Sequence, residues 1–348
     1  MNYVEIEKMG SSAARLGLDR RVSVISDRLT PKVGDVIAVK ALSESTSYGN
    51  LELPSGRLAK INTGDVILGV LGKRRALKGF VGDVPESVAS GDRLHLLNMG
   101  GVIGLCKGHH SSFSDAIEVE VVGIACDDTG AVLNIGRNAL QLDDSLMASA
   151  PIVMIAGTCM NSGKTVAATE IIKQAANAGV RVAGAKLSGI ACLRDTLHMQ
   201  DHGAVATASF LDCGLPSTVD HNDLASVAKG ILNHLNTFAP ELIVVELGDG
   251  VVGGYSVDEV LRDNEIRSAI SSFVFCASDY VGVIGGISVL EQLGIKPDVI
   301  AGSVTDSQMG EDFIKSNFGL EAGNARRNGK RLFELVHSKI QSEVATAK

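Results

Sequence analysis

Ile152-Val153-Met154-Ile155-Ala156-Gly157-Thr158-Cys159-Met160-Asn161-Ser162-Gly163-Lys164-Thr165 sets the architecture of the second half of this chain. Its first five residues form an unbroken apolar run, as a strand covered on both faces requires. A loop bounded by Gly157 and Gly163 follows, then Lys164-Thr165 and a helical pattern to Ala178 that Gly179 stops. Strand, glycine-bounded loop, Gly-Lys-Thr and helix in this order are the context of a phosphate-binding P-loop. Backbone N–H groups from Gly157, Thr158, Cys159, Met160, Asn161, Ser162 and Gly163 are expected to curl round phosphate, backed by the positive end of the helix dipole. Lys164 is the expected catalytic cation on the β and γ oxygens, and Thr165 Oγ the expected Mg²⁺ ligand. One departure stands out. The usual pattern has glycine five residues before Gly163, where this chain has Thr158; its glycine lies one residue earlier, at Gly157.

Outward from this motif the second half continues as alternating strands and helices. Val180–Leu187, Leu242–Leu247, Phe273–Cys276 and Val299–Ser303 are apolar strand candidates. Between them, Asp223–Asn236 sets Leu224, Val227, Ile231 and Leu235 on one helical face, and a terminal helix is expected over 323–345. Such alternation predicts an α/β domain over 151–348, a mostly parallel sheet flanked by helices. Residues 141–150 are polar or small and read as a linker. Residues 1–140 read as a β-rich domain, barrel- or sandwich-like, with strands at Val22–Ile25, Val36–Val39, Val66–Leu71, Leu94–Leu97, Ile117–Val122 and Val132–Ile135. An echo runs through it: Gly34-Asp35, Gly64-Asp65 and Gly91-Asp92 each stand directly before a strand. We read it as shared turn chemistry rather than as a repeat.

The whole chain agrees with two domains. Its 348 residues exceed one ordinary core, and at 45% hydrophobic both halves can bury one. Trp is absent and aromatics are 4%, so Val, Ile, Leu and Ala must fill the interior. A net charge of −8, with no basic run beyond Lys73-Arg74-Arg75 and Arg326-Arg327, argues against nucleic acid as partner. The first residues lack a signal peptide's pattern and no apolar stretch is long enough to span a bilayer, so neither export nor a membrane partner is expected. The six scattered cysteines form no C-x-x-C pair and suit free thiols in the cytoplasm.

The spacing Gly-Thr-x-x-x-x-Gly-Lys-Thr resembles the P-loop of dethiobiotin synthetase and the cobyric acid synthetase group, in the P-loop class that also holds the signal-recognition and MinD-type NTPases. The extra lysine of MinD-type loops falls at Cys159 and is missing. Gly184-Ala185-Lys186-Leu187-Ser188-Gly189, then Arg194-Asp195, is similar to that group's Lys-Pro-x-x-x-Gly segment, although Leu187 replaces the proline and the spacing is one residue shorter. The resemblance implies that Lys186 meets substrate and phosphate, as a second catalytic lysine, and that Asp195 holds Mg²⁺. Leu242–Gly250 is similar to the group's strand ending in Glu-Gly-x-Gly-Gly, which implies Glu246 as another Mg²⁺ ligand. A carboxylate at the C-terminal end of a buried strand also faces the ligand crevice of open α/β sheets.

Weaker signals remain. His198 and His202 lie four apart and would share a helix face, but no third ligand is fixed by spacing, and substrate contact is preferred to metal. His109-His110 reads as a surface turn. Cys159, near a helix N-terminus and Lys164, is either a redox-sensitive brake or a small side chain turned from phosphate. Residues 279–287 read as a glycine-rich loop, lining a pocket or touching another subunit, and a homodimer is left open. Thr305, after the last strand, is a candidate reader of the nucleobase or a helix cap. No Asn-Lys-x-Asp guanine motif occurs there, which favours ATP over GTP.

Three functions are compatible with these residues. The first is ATP- and Mg²⁺-dependent phosphorylation of a small-molecule carboxylate or carbamate, as a kinase or ligase of dethiobiotin synthetase type. The second is a regulatory or chaperone NTPase whose nucleotide state controls a protein partner. The third, a binding protein without catalysis, is least expected, because Lys164, Thr165 and Glu246 are all kept.

Overall fold

The computed structural model describes residues 2–346. The chain divides into two compact units. One comprises residues up to Leu140 with Ile190–Arg194 and Phe210–Val219; the other comprises Gln141–Gly189, Asp195–Ser209 and the chain from Asp220 onward.

The first unit is built from twelve strands: β1 (Asn2–Glu5), β2 (Lys8–Met9), β3 (Arg21–Ile25), β4 (Val36–Ala41), β5 (Asn50–Glu52), β6 (Leu58–Lys60), β7 (Val66–Leu71), β8 (Arg74–Arg75), β9 (Phe80–Asp83), β10 (Arg93–Leu96), β11 (Val102–His109) and β12 (Glu118–Cys126). Strand β12 pairs β4, β4 pairs β7, β7 pairs β11, β11 pairs β10, and β10 returns to β12. These five strands close a small barrel, the first of the two architectures expected from the strand pattern. Ile37, Val39, Ile67, Leu71, Leu94, Leu96, Ile103, Val119 and Val121 fill its core. The three Gly-Asp turns share one geometry. Gly34, Gly64 and Gly91 have φ of 90°, 97° and 88°, and the carboxylates of Asp35, Asp65 and Asp92 accept from the backbone N–H three residues earlier. Only glycine adopts such φ without strain, and a carboxylate closes the turn before each strand starts.

Val132–Ile135 does not form the expected strand. Cys126–Val132 and Asp35–Asn134 are isolated bridges, and Asn134 caps a 3₁₀ turn over Ile135–Asn138. The side chain of Asn134 accepts from Gly136 N at 2.9 Å, a local bond that competes with a ladder.

The second unit is a seven-stranded sheet, every pair parallel. Its strands are β13 (Ile152–Gly157), β14 (Val182–Ser188), β15 (Ala206–Ser209), β16 (Leu242–Leu247), β17 (Ile270–Cys276), β18 (Val299–Ala301) and β19 (Glu321–Ala322), in the spatial order β15-β14-β16-β13-β17-β18-β19. The helices are α1 (Lys164–Asn177), α2 (Arg194–Asp201), α3 (Leu224–Asn236), α4 (Val257–Arg262), α5 (Asn264–Ala269), α6 (Tyr280–Gln292), α7 (Gln308–Phe318) and α8 (Ala325–Thr346). Helices α1 and α8 cover one face, where Ile171, Ile172, Leu332 and Val336 pack on Val153, Ile155, Val244 and Val274. Each fully buried aliphatic side chain there contributes about 1.5–3 kcal/mol. The chain leaves β13 for β14 on one side and later reaches β17 on the other, so the sheet reverses its winding at β13 and opens a crevice at its strand ends.

Two local readings change in this unit. Residues 141–150, read as a linker, run along α3: Met147 N donates to Asn233 Oδ1 and Ala150 N to Asn236 Oδ1, while Asn233 Nδ2 donates to Asp143 Oδ2. The glycine-rich stretch 279–287 is no loop but the start of α6. Asp279 caps it by accepting from Gly282 N at 2.7 Å, and Gly286 has no room for a side chain beside the ring of Phe275.

Candidate functional site

Period-two alternation aims the site. Val153 and Ile155 of β13, Val182 of β14 and Leu242 and Val244 of β16 all belong to the core under α1. Continuing the alternation puts Lys186 and Glu246 on that same face at the strand ends, where they are direct neighbours in the β14–β16 register. Helix α1 starts on this face at Lys164, so its first turn meets Glu246. Thr165 Oγ1 donates to Glu246 Oε1 at 2.8 Å.

The loop over residues 158–163 explains its own glycines. A Cβ at Gly157 would lie 2.6 Å from both Cys276 O and Ser162 Oγ and 3.1 Å from Lys164 Cδ. The close approach falls at position 157, which is why glycine stands there and Thr158 is tolerated next to it. Asn161 (φ 64°) and Gly163 (φ 101°) turn the chain back toward α1. Two of the loop's N–H groups are engaged inside the protein: Thr158 N donates to Cys276 O and Ser162 N to Cys159 O. Lys164 is buried and folds back over the loop, donating to Cys159 O at 2.7 Å and reaching Ser162 Oγ at 3.5 Å. Burial pulls its ammonium below the usual lysine range, opposed first by Glu246. The half-buried Cys159 and Met160 and the exposed Asn161 complete the loop. Behind it, burial pushes the Cys276 thiol up to about 12, so that sulfur stays protonated.

Gly184 brings Asp195 to the site. A Cβ there would be 2.7 Å from Met199 Sδ, so α2 packs directly on β14. Asp195 lies one helical turn before Met199 and forms a salt bridge with Lys186. Lys186 Nζ is also 3.8 Å from Glu246 Oε1. Asp195, expected on the metal, is thus engaged with the lysine.

Glu246 is 2% exposed, and burial raises its carboxyl above the ordinary range although Lys186 and Lys164 pull it down. Its Oε2 is buried without a hydrogen-bond partner. A buried carboxylate oxygen left without a donor, beside a threonine hydroxyl and at the mouth of a phosphate loop, is the donor set that a hard divalent cation takes. The residues present therefore fit Mg²⁺, which Thr165 and Glu246 would hold.

The other candidates are engaged in local contacts of their own. Thr305 is fully buried in a 3₁₀ turn, and its hydroxyl donates to Gly302 O at 2.7 Å. Beside that turn, Gln308, Glu311, Asn324, Arg327, Asn328 and Arg331 line a polar cleft of about 390 Å³. His202 Nδ1 lies 2.7 Å from His198 O, a helix-internal contact, and no cluster of three or more metal-binding side chains occurs among the described residues. His109 contacts Asp115, and His110 contacts Ser112, both at the surface end of β11. No helix among the described residues is long and apolar enough to cross a membrane.

The chain matches no protein-family model and no curated protein sequence. Among solved structures it is similar to chloroplast FtsY from Physcomitrella patens, with 14% identity, a TM-score of 0.39 and coverage of 57% of this chain and 68% of that one. It is similar to the signal recognition particle 54 kDa protein from Aeropyrum pernix K1, solved in complex with GDP, with 17% identity, a TM-score of 0.37 and coverage of 60% of this chain. The match spans 51% of that protein's length. A DUF1611 family protein from Anabaena variabilis gives 11% identity, a TM-score of 0.42 and coverage of 61% and 65%.

Proposed function

We propose that this chain is a Mg²⁺-dependent P-loop NTPase that hydrolyses the terminal phosphate of a nucleoside triphosphate and presents a nucleotide-dependent surface to a protein partner. The Thr165–Glu246 bond carries the reading, because it sets the two cation-binding groups together at the loop that receives the phosphates. Mg²⁺, when bound there, would neutralise charge on the β and γ oxygens. Lys164 leaves Cys159 O to take the phosphate oxygens, and the backbone of the loop holds them in place. Lys186, steadied by Asp195, adds a second positive charge where charge develops on the transferring phosphoryl group.

One observation favours a regulatory NTPase over phosphorylation of a small acid: the rim of the loop is apolar. Val251 N donates to Gly157 O, so the exposed Val252 borders the loop. Gly282 lies beside the Thr158 methyl, so the exposed Val281 and Ile284 of α6 border it too. Exposed apolar groups gathered round a site suit a protein surface better than a polar metabolite.

Thr305 is sealed in its turn, so base recognition passes to the adjacent cleft. The carboxylate of Glu311 there, 3.4 Å from Arg327 on one oxygen, would accept from the paired N1–H and N2–H₂ donors of guanine better than from the single amine of adenine. GTP, rather than the ATP expected from the missing guanine motif, is the nucleotide proposed.

The test is calorimetric titration with GTP and with ATP, each with Mg²⁺, of the wild type and Lys164→Ala. Micromolar binding of GTP, weaker ATP binding and loss of both in the variant are expected. A folded wild type that binds neither nucleotide would end this reading.

A further inference from the structure

Between Lys186 and Asp195, which pair with each other, the chain makes an excursion that the function as described so far does not use. Five of its residues, Ile190–Arg194, belong to the barrel unit. They are held there at several points. Ala191 N donates to Pro216 O at 2.9 Å, and Asn98 Nδ2 donates to Ala191 O at 2.7 Å. A Cβ at Gly100 would strike the same Ala191 O, so backbone packs on backbone. Cys192 Sγ donates to Glu52 Oε1 at 3.0 Å, and Leu193 N donates to Glu52 Oε2 at 2.7 Å. Ser11 Oγ donates to that Oε2 as well.

Glu52 is the centre of this clasp. It lies on β5, is 1% exposed, and both of its carboxylate oxygens accept from residues 192 and 193. Burying a carboxylate is costly unless donors meet it, and hydrogen bonds to a charged acceptor are about twice as strong as neutral ones. The sequence of the excursion shows what such a clasp supplies. Helix α2 has only eight residues, too few to persist in water by itself. Leu193, directly before it, has no side chain that can cap a helix. Asp195 lies in the first turn, where helices fray. Holding Leu193 therefore steadies the turn that carries Asp195, and through Asp195 the ammonium of Lys186.

Resting on the NTPase reading above, we propose that Glu52 is a positioning residue for phosphoryl transfer, acting on Lys186 through Leu193 and Asp195. Leu193 is two residues from Asp195, so a shift at the clasp reaches that carboxylate through two peptide units. Asp195 then no longer aims the lysine, and its charge falls away from the oxygens of the transferring phosphoryl group. Displacements of this size at a site far from the chemistry slow a reaction without abolishing binding. Nucleotide affinity, which rests on the phosphate loop and on Thr165 and Glu246, is left in place.

The test is Glu52→Ala in the full chain, beside Asn98→Ala, which removes a different bond of the same clasp and guards against misfolding of the first variant. Both should lower kcat for nucleotide hydrolysis about 10- to 100-fold, with KM for nucleotide within about threefold of wild type. In a Lys186→Ala background, Glu52→Ala should lower kcat no further, because the residue it acts through is gone. A second readout needs no turnover. The Lys186 side chain is 12% exposed, and acetylation by acetic anhydride, followed at Lys186 by mass spectrometry, should become severalfold faster in both variants. A clasp that only stabilises the barrel would lower the melting temperature but leave kcat and labelling as in wild type, and that result overturns the proposal. An equal loss of kcat in the Lys186→Ala background overturns it too. A wild type that turns over no nucleotide ends the NTPase reading and the catalytic part of this one, whereas unchanged labelling in both variants overturns the clasp whatever the turnover.

Discussion

Thr165 Oγ1 and Glu246 Oε1 are bonded at 2.8 Å across 81 positions of sequence, tying the first turn of α1 to the end of β16. The same carboxylate keeps its other oxygen buried and unpartnered. A buried carboxylate oxygen without a donor costs the free protein stability, and on the reading proposed above that cost is the counterpart of cation binding.

Glu246→Gln tests that trade. Burial raises the Glu246 carboxyl in the folded state. A carboxyl raised above its unfolded value contributes stability that is present below the ordinary carboxylate range and is lost as pH rises through the folded value. The ionised form of Glu246 is therefore a burden on the folded protein. The neutral, isosteric glutamine should raise the melting temperature of the nucleotide-free protein at pH values above the ordinary carboxylate range and flatten its dependence on pH there. Mg²⁺-dependent nucleotide affinity should fall about tenfold or more. Thermal melts across that range, with and without Mg²⁺ and nucleotide, give both readouts; a lower melting temperature at every pH would contradict the argument.

Gly302 supports the phosphate loop from below. Its φ is 92°, and a Cβ would run into Ser162 O and lie 2.7 Å from Ala277 O. Gly302→Ala should cost about 1–3 kcal/mol through the backbone alone and displace the loop as well. Gly319→Ala is the control. Its φ is 63°, but nothing lies within 4 Å of the added methyl. Both variants should lose stability in denaturant unfolding, but only Gly302→Ala should lose nucleotide affinity.

What the sequence made legible was local. The apolar run into Gly157, the Gly-Lys-Thr and the Glu at the end of Leu242–Leu247 each sit within a few residues of their context, and each occupies its expected element. Strand β11 was missed because Gly104, Lys107 and Gly108 break the apolar alternation. Helix α6 was hidden by Gly282, Gly285 and Gly286, although the Asp279 cap and the Tyr280, Val283, Ile287 and Leu290 spacing could have revealed it. The grouping of Ile190–Arg194 and Phe210–Val219 with the barrel unit depends on contacts far along the chain, such as Leu193 N to Glu52 Oε2 at 2.7 Å. Thr305 looked free to read a base because a hydroxyl's partner, Gly302 O, is set by a turn that no motif announces.

The barrel unit rests on a buried arginine. Arg74 is 1% exposed, bonds to Leu97 O and to Tyr48 OH (2.6 Å), and lies 4.6 Å from the centre of the Tyr48 ring. Arg74→Ala empties that space and orphans a carbonyl, which should destabilise by about 3 kcal/mol or more. Lysine cannot reproduce the fork or the stacking, so Arg74→Lys should rescue little. Tyr48→Phe removes one bond and keeps the ring, costing about 1 kcal/mol. Urea unfolding followed by circular dichroism should rank the three in that order; a neutral Arg74→Ala would show that the cluster is dispensable.

The Lys186–Asp195–Glu246 group separates hydrolysis from transfer to a small acid. Lys186 is a cation between two carboxylates at a site only 2–14% exposed. Lys186→Ala leaves those carboxylates facing each other, which should cost about 2–3 kcal/mol after solvent screening. Asp195→Asn should cost less, because Lys186 still has Glu246. The double variant should recover part of the single-lysine loss, since it removes a like-charge pair, and the cycle reads that coupling directly. Turnover divides the functions. If Lys186 acts on the transferring phosphoryl group, Lys186→Ala lowers kcat about 100-fold with KM for nucleotide nearly unchanged, and added carboxylic acids have no effect on either protein. If Lys186 instead receives an acceptor, wild-type turnover rises when the correct acid is supplied, and the variant shows its loss in KM for that acid. Asp195→Asn sharpens the contrast. Without its anchor, Lys186 would lose orientation toward the phosphoryl group and slow hydrolysis, but would be freer to meet an acceptor and would strengthen acid-stimulated turnover.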